Sequence, residues 1–180
     1  MKLHRPRRRP WSIELQPWPF YSQLNDWTAD GNDDNASYNC GPESVAMVIA
    51  YLTGVTLPAS FIKDTLYGEG YVGDTSVNAN AGFLERYAGT PCDIYSCPTA
   101  DNLLWTEWSF LKEGRPLIGL FYFDAPGVGG HFRAVIGMDE HFVYTADPWT
   151  GQKRAEGRLE HWSWSQGILI GCRRSRAIRV

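Results

Sequence analysis

Cys40, His131 and Asp147 are the side chains of this chain whose types and spacing could together do nucleophilic chemistry. A cysteine attacks as the thiolate, and a free thiol with a pKa near about 8.5 needs help to ionise at neutral pH. Cys40 opens the segment CGPESVAMVIAYLTG, in which Val45, Val48, Ile49 and Leu52 recur with helical spacing. The pattern predicts a helix with Cys40 in its first turn. Asn39 is placed to cap it, Pro42 is tolerated in the first turn, Glu43 suits the positive dipole end, and Gly54 can end it. Unpaired backbone N–H groups at such a helix start favour a thiolate, and the N–H of Cys40 itself could hold an oxyanion. Taken alone, Cys40 reads equally well as a buried structural cysteine.

His131 shifts that balance. It follows the open Gly127-Val128-Gly129-Gly130 stretch and begins the alternating run HFRAVIGM, while Asp147 ends the next run, HFVYTAD. If the two runs form an antiparallel hairpin turning near Asp139, His131 and Asp147 lie eight residues to either side of the turn. They should then sit beside each other, within a residue of direct pairing. A carboxylate beside an imidazole fixes its tautomer and stabilises the imidazolium, as a general base requires. The other histidines fit less well. His4 lies in a basic N-terminal stretch, His141 lies at the far end of the hairpin from Asp147, and His161, before Trp-Ser-Trp, reads as a surface or packing residue.

The elements that must position these groups follow from the rest of the chain. Further helices are predicted over 60–66, from near Ser76 or Asn78 with Phe83, Leu84 and Tyr87 buried, and over 101–113 with Leu104, Trp108 and Leu111 on one face. Strands are predicted at 116–123, 131–138, 141–147 and 167–172. Helices first and an antiparallel sheet second make the fold class α+β. A length of 180 residues suits one domain. The organisation reads as a basic, Pro-rich arm over 1–19, a folded body over 20–172 and a basic tail over 173–180.

Charge is unevenly spread. The first ten residues carry five basic side chains and the last eight carry four, which leaves eight in the body against all 20 acids. An acidic body argues against nucleic-acid binding. The basic ends read either as solvated termini or as contacts for an anionic partner. No apolar run approaches the ~18 residues of a membrane span, and Glu14, Pro17 and Pro19 interrupt any signal-peptide core. The expectation is a soluble, by default cytoplasmic, protein without membrane contact. Four cysteines permit two disulfides without arguing for them, and Cys92 and Cys97, if on one strand, face opposite sides. The Asn/Asp/Gly-rich segment 28–38 reads as a plain loop rather than a calcium site, and no paired ligand spacing suggests zinc. No cofactor or metal is expected. Among the tryptophans, Trp105, Trp108, Trp149, Trp162 and Trp164 read as core or as groove walls.

Gln23, then NCGPESVAMVIAYLTG, then GGHFRAVIGMDE, then YTADPWTG together resemble the bacteriocin-leader-processing cysteine peptidases of the papain superfamily. The resemblance covers about residues 20–172, with four motifs in the family's order. It implies a papain-like fold, with the nucleophile helix of the N-terminal half packed on a C-terminal antiparallel sheet. It implies Cys40 as nucleophile, His131 as general base and acid, Asp147 as the group orienting His131, and Gln23 as an oxyanion donor beside the Cys40 N–H. The separation from Gln23 to Cys40 is 17 residues, longer than in exporter-linked members. With no transmembrane or ATP-binding region, the stand-alone form is expected. The implied reaction is hydrolysis of a peptide or amide bond through a thiol acyl-enzyme, with a leader peptide or a bacterial cell-wall peptide as substrate. A non-catalytic peptide-binding module on the same fold, and an acyl transferase using the same residues, are the alternatives.

Overall fold

The computed structural model of the protein describes residues 11–25, 39–68, 77–123, 127 and 129–173. The predicted loop over 28–38, most of the basic arm and residues 174–180 of the basic tail lie outside them.

The fold is α+β. The elements in order are β1 (Ser12–Glu14), a 3-10 turn at Gln23–Asn25, α1 (Cys40–Thr53), α2 (Ala59–Gly68), α3 (Val77–Ala88), β2 (Cys92–Ser96), α4 (Ala100–Leu111), β3 (Leu117–Phe121), β4 (His131–Asp139), β5 (Phe142–Asp147), β6 (Gln152–Gly157), α5 (Arg158–Trp164) and β7 (Ser165–Cys172). The strands form one antiparallel sheet in the order β2-β7-β3-β4-β5-β6, with β1 joined to β4.

Helix α1 forms where its apolar spacing placed it, and Gly54 ends it in the left-handed conformation with φ 74°. Asn39 precedes it but makes no capping hydrogen bond through its side chain; its carbonyl accepts the Glu43 N–H instead. Every residue from Cys40 to Ile49 is buried, so this helix runs through the protein rather than along its surface. It packs on α2 and α3 on its helical side and on β3 and β4 on the other. Strand β4 is buried at both parities from His131 to Met138, which requires cover on both sheet faces. Helix α4 adds to that cover of β4, and α5 packs on β5, β6 and β7.

Three parts of the fold differ from the sequence reading. The first is the N-terminal arm: Ser12–Glu14 pairs with Gly137–Asp139, and Leu15 and Trp18 are buried. Strand β3 reaches only to Val135 on that side of β4, so β1 takes up the remaining edge. Gly137 makes this docking feasible, because a Cβ there would stand 2.7 Å from the Ile13 carbonyl. Ser12–Glu14 is therefore a strand of the sheet, and Leu15 and Trp18 are part of the core.

The second is α4, whose most buried positions are Leu103, Glu107, Phe110 and Leu111, while Leu104 and Trp108 are half-buried. An acid in the middle of the buried stripe rotates the inward face away from the one that apolar residues alone define. The third is the cysteine pattern. Cys92 and Cys172 are cross-strand partners in β2 and β7 and are joined by a disulfide, whereas Cys40 and Cys97 are free and buried.

Candidate active site

The site is assembled at the start of α1, the start of β4 and the end of β5. Cys40 is the first residue of α1 and is 4% exposed. Gly41 follows it because the helix start is pressed against α3: a Cβ at Gly41 would lie 2.6 Å from the Asn80 amide, and Asn80 is fully buried. The sulfur of Cys40 is met by the backbone N–H groups of Phe132, Gly41 and Cys40 itself. Phe132 is the neighbour of His131 in β4, so packing of α1 on β4 brings the thiol to the histidine strand.

Burial nevertheless dominates the thiol. It pushes Cys40 up to about 11, with a further push from the Asp147 carboxylate, and the three N–H groups only partly offset it. The sequence reading expected the helix start to lower this pKa. The expectation fails because the same packing that aims the N–H groups at sulfur also removes it from water.

His131 and Asp147 are each 2% exposed, and His131 Nε2 lies 2.7 Å from Asp147 Oδ1. Their meeting is diagonal. The β4–β5 ladder pairs Ala134 with Ala146 and Val135 with Thr145, and a bulge at Ile136 shifts the register by one nearer the turn. Continued outward, this register sets Asp147 opposite Arg133, two residues from His131. A displacement of two preserves the face of the sheet, so the side chains still meet.

Asp147 is fully occupied. Its Oδ1 also accepts the Trp149 N–H at 3.0 Å, and its Oδ2 accepts from Arg154 Nη1 at 3.0 Å and faces Arg133 Nε at 3.5 Å. Burial alone would raise its pKa, but His131, Arg133 and Arg154 outweigh burial and hold the carboxyl well below the usual carboxylate range. An ionised carboxylate accepts only, so His131 donates Nε2–H to it and Nδ1 is the atom able to take a proton. Phe123 stands edge-on to the His131 ring at 5.2 Å, and Trp149 stands edge-on to Phe123 at 5.0 Å. These rings wall a small cavity of about 150 Å³ beside His131.

Gln23 is fully buried and reaches this region through the turn after Asp147. Its backbone N–H donates to the Pro148 carbonyl at 2.8 Å. Gly151, at φ 65°, lets the turn close against Ser22, where a Cβ would meet the Ser22 side chain at 2.9 Å. The structure thus brings Cys40, His131, Asp147 and Gln23 to one region from four separate elements.

Sequence reasoning missed Arg133, Arg154 and Glu156, and placed His161 on the surface or in plain packing. His161 is in fact fully buried between two carboxylates, 2.8 Å from Glu107 Oε1 and 3.2 Å from Glu156 Oε2. A signal existed for Arg133, which is two residues from His131 on an alternating strand and so shares its face. Trp105 and Trp108 lie elsewhere: with Trp11, Ile13 and Arg158 they line a groove of about 740 Å³ at the Met138 end of β4, away from His131. Among the described residues no group of three or more His, Cys, Asp or Glu side chains could hold a metal ion. No helix among them is long and apolar enough to cross a membrane.

A family model described as the Peptidase_C39 like family matches residues 15–166. Among curated proteins none matches this sequence. Among solved structures, a C39-like peptidase from Bacillus anthracis is 17% identical, with a TM-score of 0.65 over 92% of this chain and 100% of the other. The peptidase domain of Streptococcus ComA, a bi-functional ABC transporter of a quorum-sensing pathway, is 13% identical, with a TM-score of 0.62 over 86% of this chain and 96% of the other. A double-glycine-motif protease from an AMS/PCAT transporter, in complex with its leader peptide, is 19% identical, with a TM-score of 0.59 over 93% of this chain and 100% of the other.

Proposed function

The chain belongs to the Peptidase_C39 like family, whose membership and fold support a cysteine peptidase, and on that premise we propose that Cys40, His131, Asp147 and Gln23 carry out hydrolysis of a peptide or amide bond. The observation that carries this reading is the buried His131 Nε2–Asp147 Oδ1 contact of 2.7 Å, with His131 on β4, the strand against which the Cys40 helix packs.

In this reading the resting site holds a neutral thiol, because burial keeps Cys40 protonated at neutral pH. Attack and deprotonation are then concerted. His131 Nδ1 takes the thiol proton as sulfur bonds to the carbonyl carbon. The Asp147 carboxylate steadies the imidazolium that forms. The carbonyl oxygen becomes an oxyanion held by the Cys40 N–H and the Gln23 side-chain amide. His131 returns its proton to the leaving nitrogen as the C–N bond breaks, giving a thioester and a free amine. A water molecule, deprotonated by His131, then attacks the thioester, and the acid leaves as the thiol is restored.

The substrate proposed is a peptide with small residues before the scissile bond, as in a leader peptide. The double-glycine-motif protease from the AMS/PCAT transporter is in complex with a leader peptide, which supports a peptide substrate here. Bacterial cell-wall peptides offer the same chemistry.

The test uses p-nitrophenyl acetate and a synthetic leader-type peptide with two glycines before the scissile bond. Intact-mass measurement should find one acetyl group on Cys40, none in Cys40→Ala, and slow acylation in His131→Ala. The peptide should be cut by the wild type alone. Acylation that avoids Cys40, or that ignores loss of His131, sinks the catalytic reading in favour of a non-catalytic peptide-binding module. Trapping of the acyl group by an added amine in preference to water would assign an acyl transferase instead.

A further inference from the structure

Behind the His131–Asp147 pair lies a chain of buried charges that the proposed reaction does not itself use. Asp147 Oδ2 is shared by Arg154 Nη1 at 3.0 Å and Arg133 Nε at 3.5 Å. The same two guanidiniums turn their other nitrogens to Glu156 Oε1, Arg133 Nη1 at 2.8 Å and Arg154 Nη2 at 3.3 Å. Glu156 Oε2 then meets His161 Nδ1 at 3.2 Å, and His161 Nε2 meets Glu107 Oε1 at 2.8 Å. Arg133, Asp147, Glu156, His161 and Glu107 are each at most 2% exposed, whereas the Arg154 side chain is 41% exposed.

This arrangement has a definite charge logic. Buried charges persist only when paired and hydrogen-bonded. With His161 protonated, the cations His161, Arg133 and Arg154 balance the carboxylates Glu107, Glu156 and Asp147. Burial by itself would lower the His161 pKa, but Glu107 and Glu156 outweigh it and raise the group to about 9, so the balanced state holds at neutral pH. Two arginines bridging two carboxylates also fix the Asp147 plane, because each guanidinium presents its donors in a rigid fork. Arg133 is further held over the Phe121 ring at 4.9 Å. Besides His131, the groups acting on Asp147 directly are Cys40 of α1, Arg133 of β4 and Arg154 of β6, and behind the arginines stand Glu156 of β6, then His161 of α5, then Glu107 of α4.

We propose that Arg133, Arg154 and Glu156 are positioning residues for the His131–Asp147 pair: the arginines hold and partly neutralise Asp147, Glu156 aligns both arginines, and His161 with Glu107 anchors Glu156 from the helices. The inference rests on the proposed role of His131, but its central prediction concerns the charge on that histidine and does not require catalysis. A merely structural cluster would affect folding in every variant and leave the His131 titration unmoved. A charge-setting cluster shifts it with a sign that depends on which charge is removed.

The experiment is a histidine-ring NMR titration of the full chain, labelled with ¹⁵N-histidine and assigned with His131→Gln. Arg154→Gln removes a cation and should raise the His131 midpoint. Glu156→Gln removes an anion and should lower it, each by roughly half to one pH unit. Arg154→Lys should return the midpoint towards the wild-type value. Midpoints that stay put in Arg154→Gln, or shifts of the same sign in both variants, overturn the proposal. If Glu156→Gln does not fold, the pair Arg154→Gln and Arg154→Lys carries the test, since Arg154 is half-exposed and its loss is tolerable. Acylation of Cys40 by p-nitrophenyl acetate, measured alongside, keeps the two readings apart. Signed shifts without any acylation would refute the peptidase reading alone, whereas acylation that depends on His131, with unmoved midpoints, would refute the positioning cluster alone.

Discussion

His131 and Asp147 meet diagonally across the β4–β5 ladder, with Nε2 and Oδ1 2.7 Å apart, although the register sets Asp147 opposite Arg133. Both side chains are 2% exposed, so little water competes for the contact. A diagonal meeting needs a longer reach than a direct one, and the length of the imidazole supplies it. Asp147→Asn keeps the shape but offers a neutral amide, which cannot hold the imidazolium and can present its NH₂ to Nε2. Acylation of Cys40 should fall by about 10²–10⁴-fold with the fold intact. A variant that acylates at the wild-type rate would remove Asp147 from the site.

Burial of Cys40 makes a second prediction. With its thiol pushed up from 9.0 to about 11, alkylation of the native protein by iodoacetamide should keep rising through pH 9, without a plateau below neutrality. A plateau near pH 7 would mean that His131 ionises the thiol in the resting state. The raised value also bears on stability. The neutral thiol is favoured in the fold, so its contribution is complete below pH 9 and is lost as pH rises towards 11.

His161 gives a third. Its folded pKa of about 9 lies above the ordinary 6.5, so folding favours the imidazolium. The stabilisation is therefore fully present below pH 6.5 and lost as pH rises through about 9, and it amounts to about 3 kcal/mol in this fully buried site. Urea unfolding at pH 6, 8 and 10 should follow this decline, and a Cys40→Ala background separates it from the thiol. Stability that is flat from pH 6 to 10 in that background would show that His161 is not held as the cation.

The Cys92–Cys172 disulfide gives a fourth. It closes a loop with a sequence separation of 80, for which chain-entropy reasoning gives about 4.5 kcal/mol. Cys92→Ser/Cys172→Ser, or reduction of the wild type, should lower the urea midpoint without altering the acylation of Cys40, which lies on another element. An unchanged midpoint on reduction would show that the two cysteines are not bridged.

What the sequence by itself determined was periodicity. The spacing of Val45, Val48 and Ile49 required a helix at Cys40, and alternation required strands starting at His131 and ending at Asp147. The register at the turn, Gly137 with Tyr144, would by alternation alone set Asp147 opposite Ala134 and on the other face from His131; the bulge at Ile136 shifts it by one and puts the two on one face, two residues from direct pairing. The docking of Ser12–Glu14 on β4 was hidden, because three residues carry too little pattern to mark a strand and only Gly137 hinted at a close backbone approach.

Only the tertiary structure decided what those faces meet. Glu107 and His161 are 54 residues apart in the chain, and neither looks buried from its neighbours; each is buried because the other supplies a charge and a hydrogen bond. The same holds for Arg133 and Glu156, 23 residues apart. Burial is also what raises the Cys40 thiol, a property of everything packed around α1 rather than of the helix start that its sequence announces. Local sequence encodes direction and period, but desolvation and charge balance are sums over the whole fold.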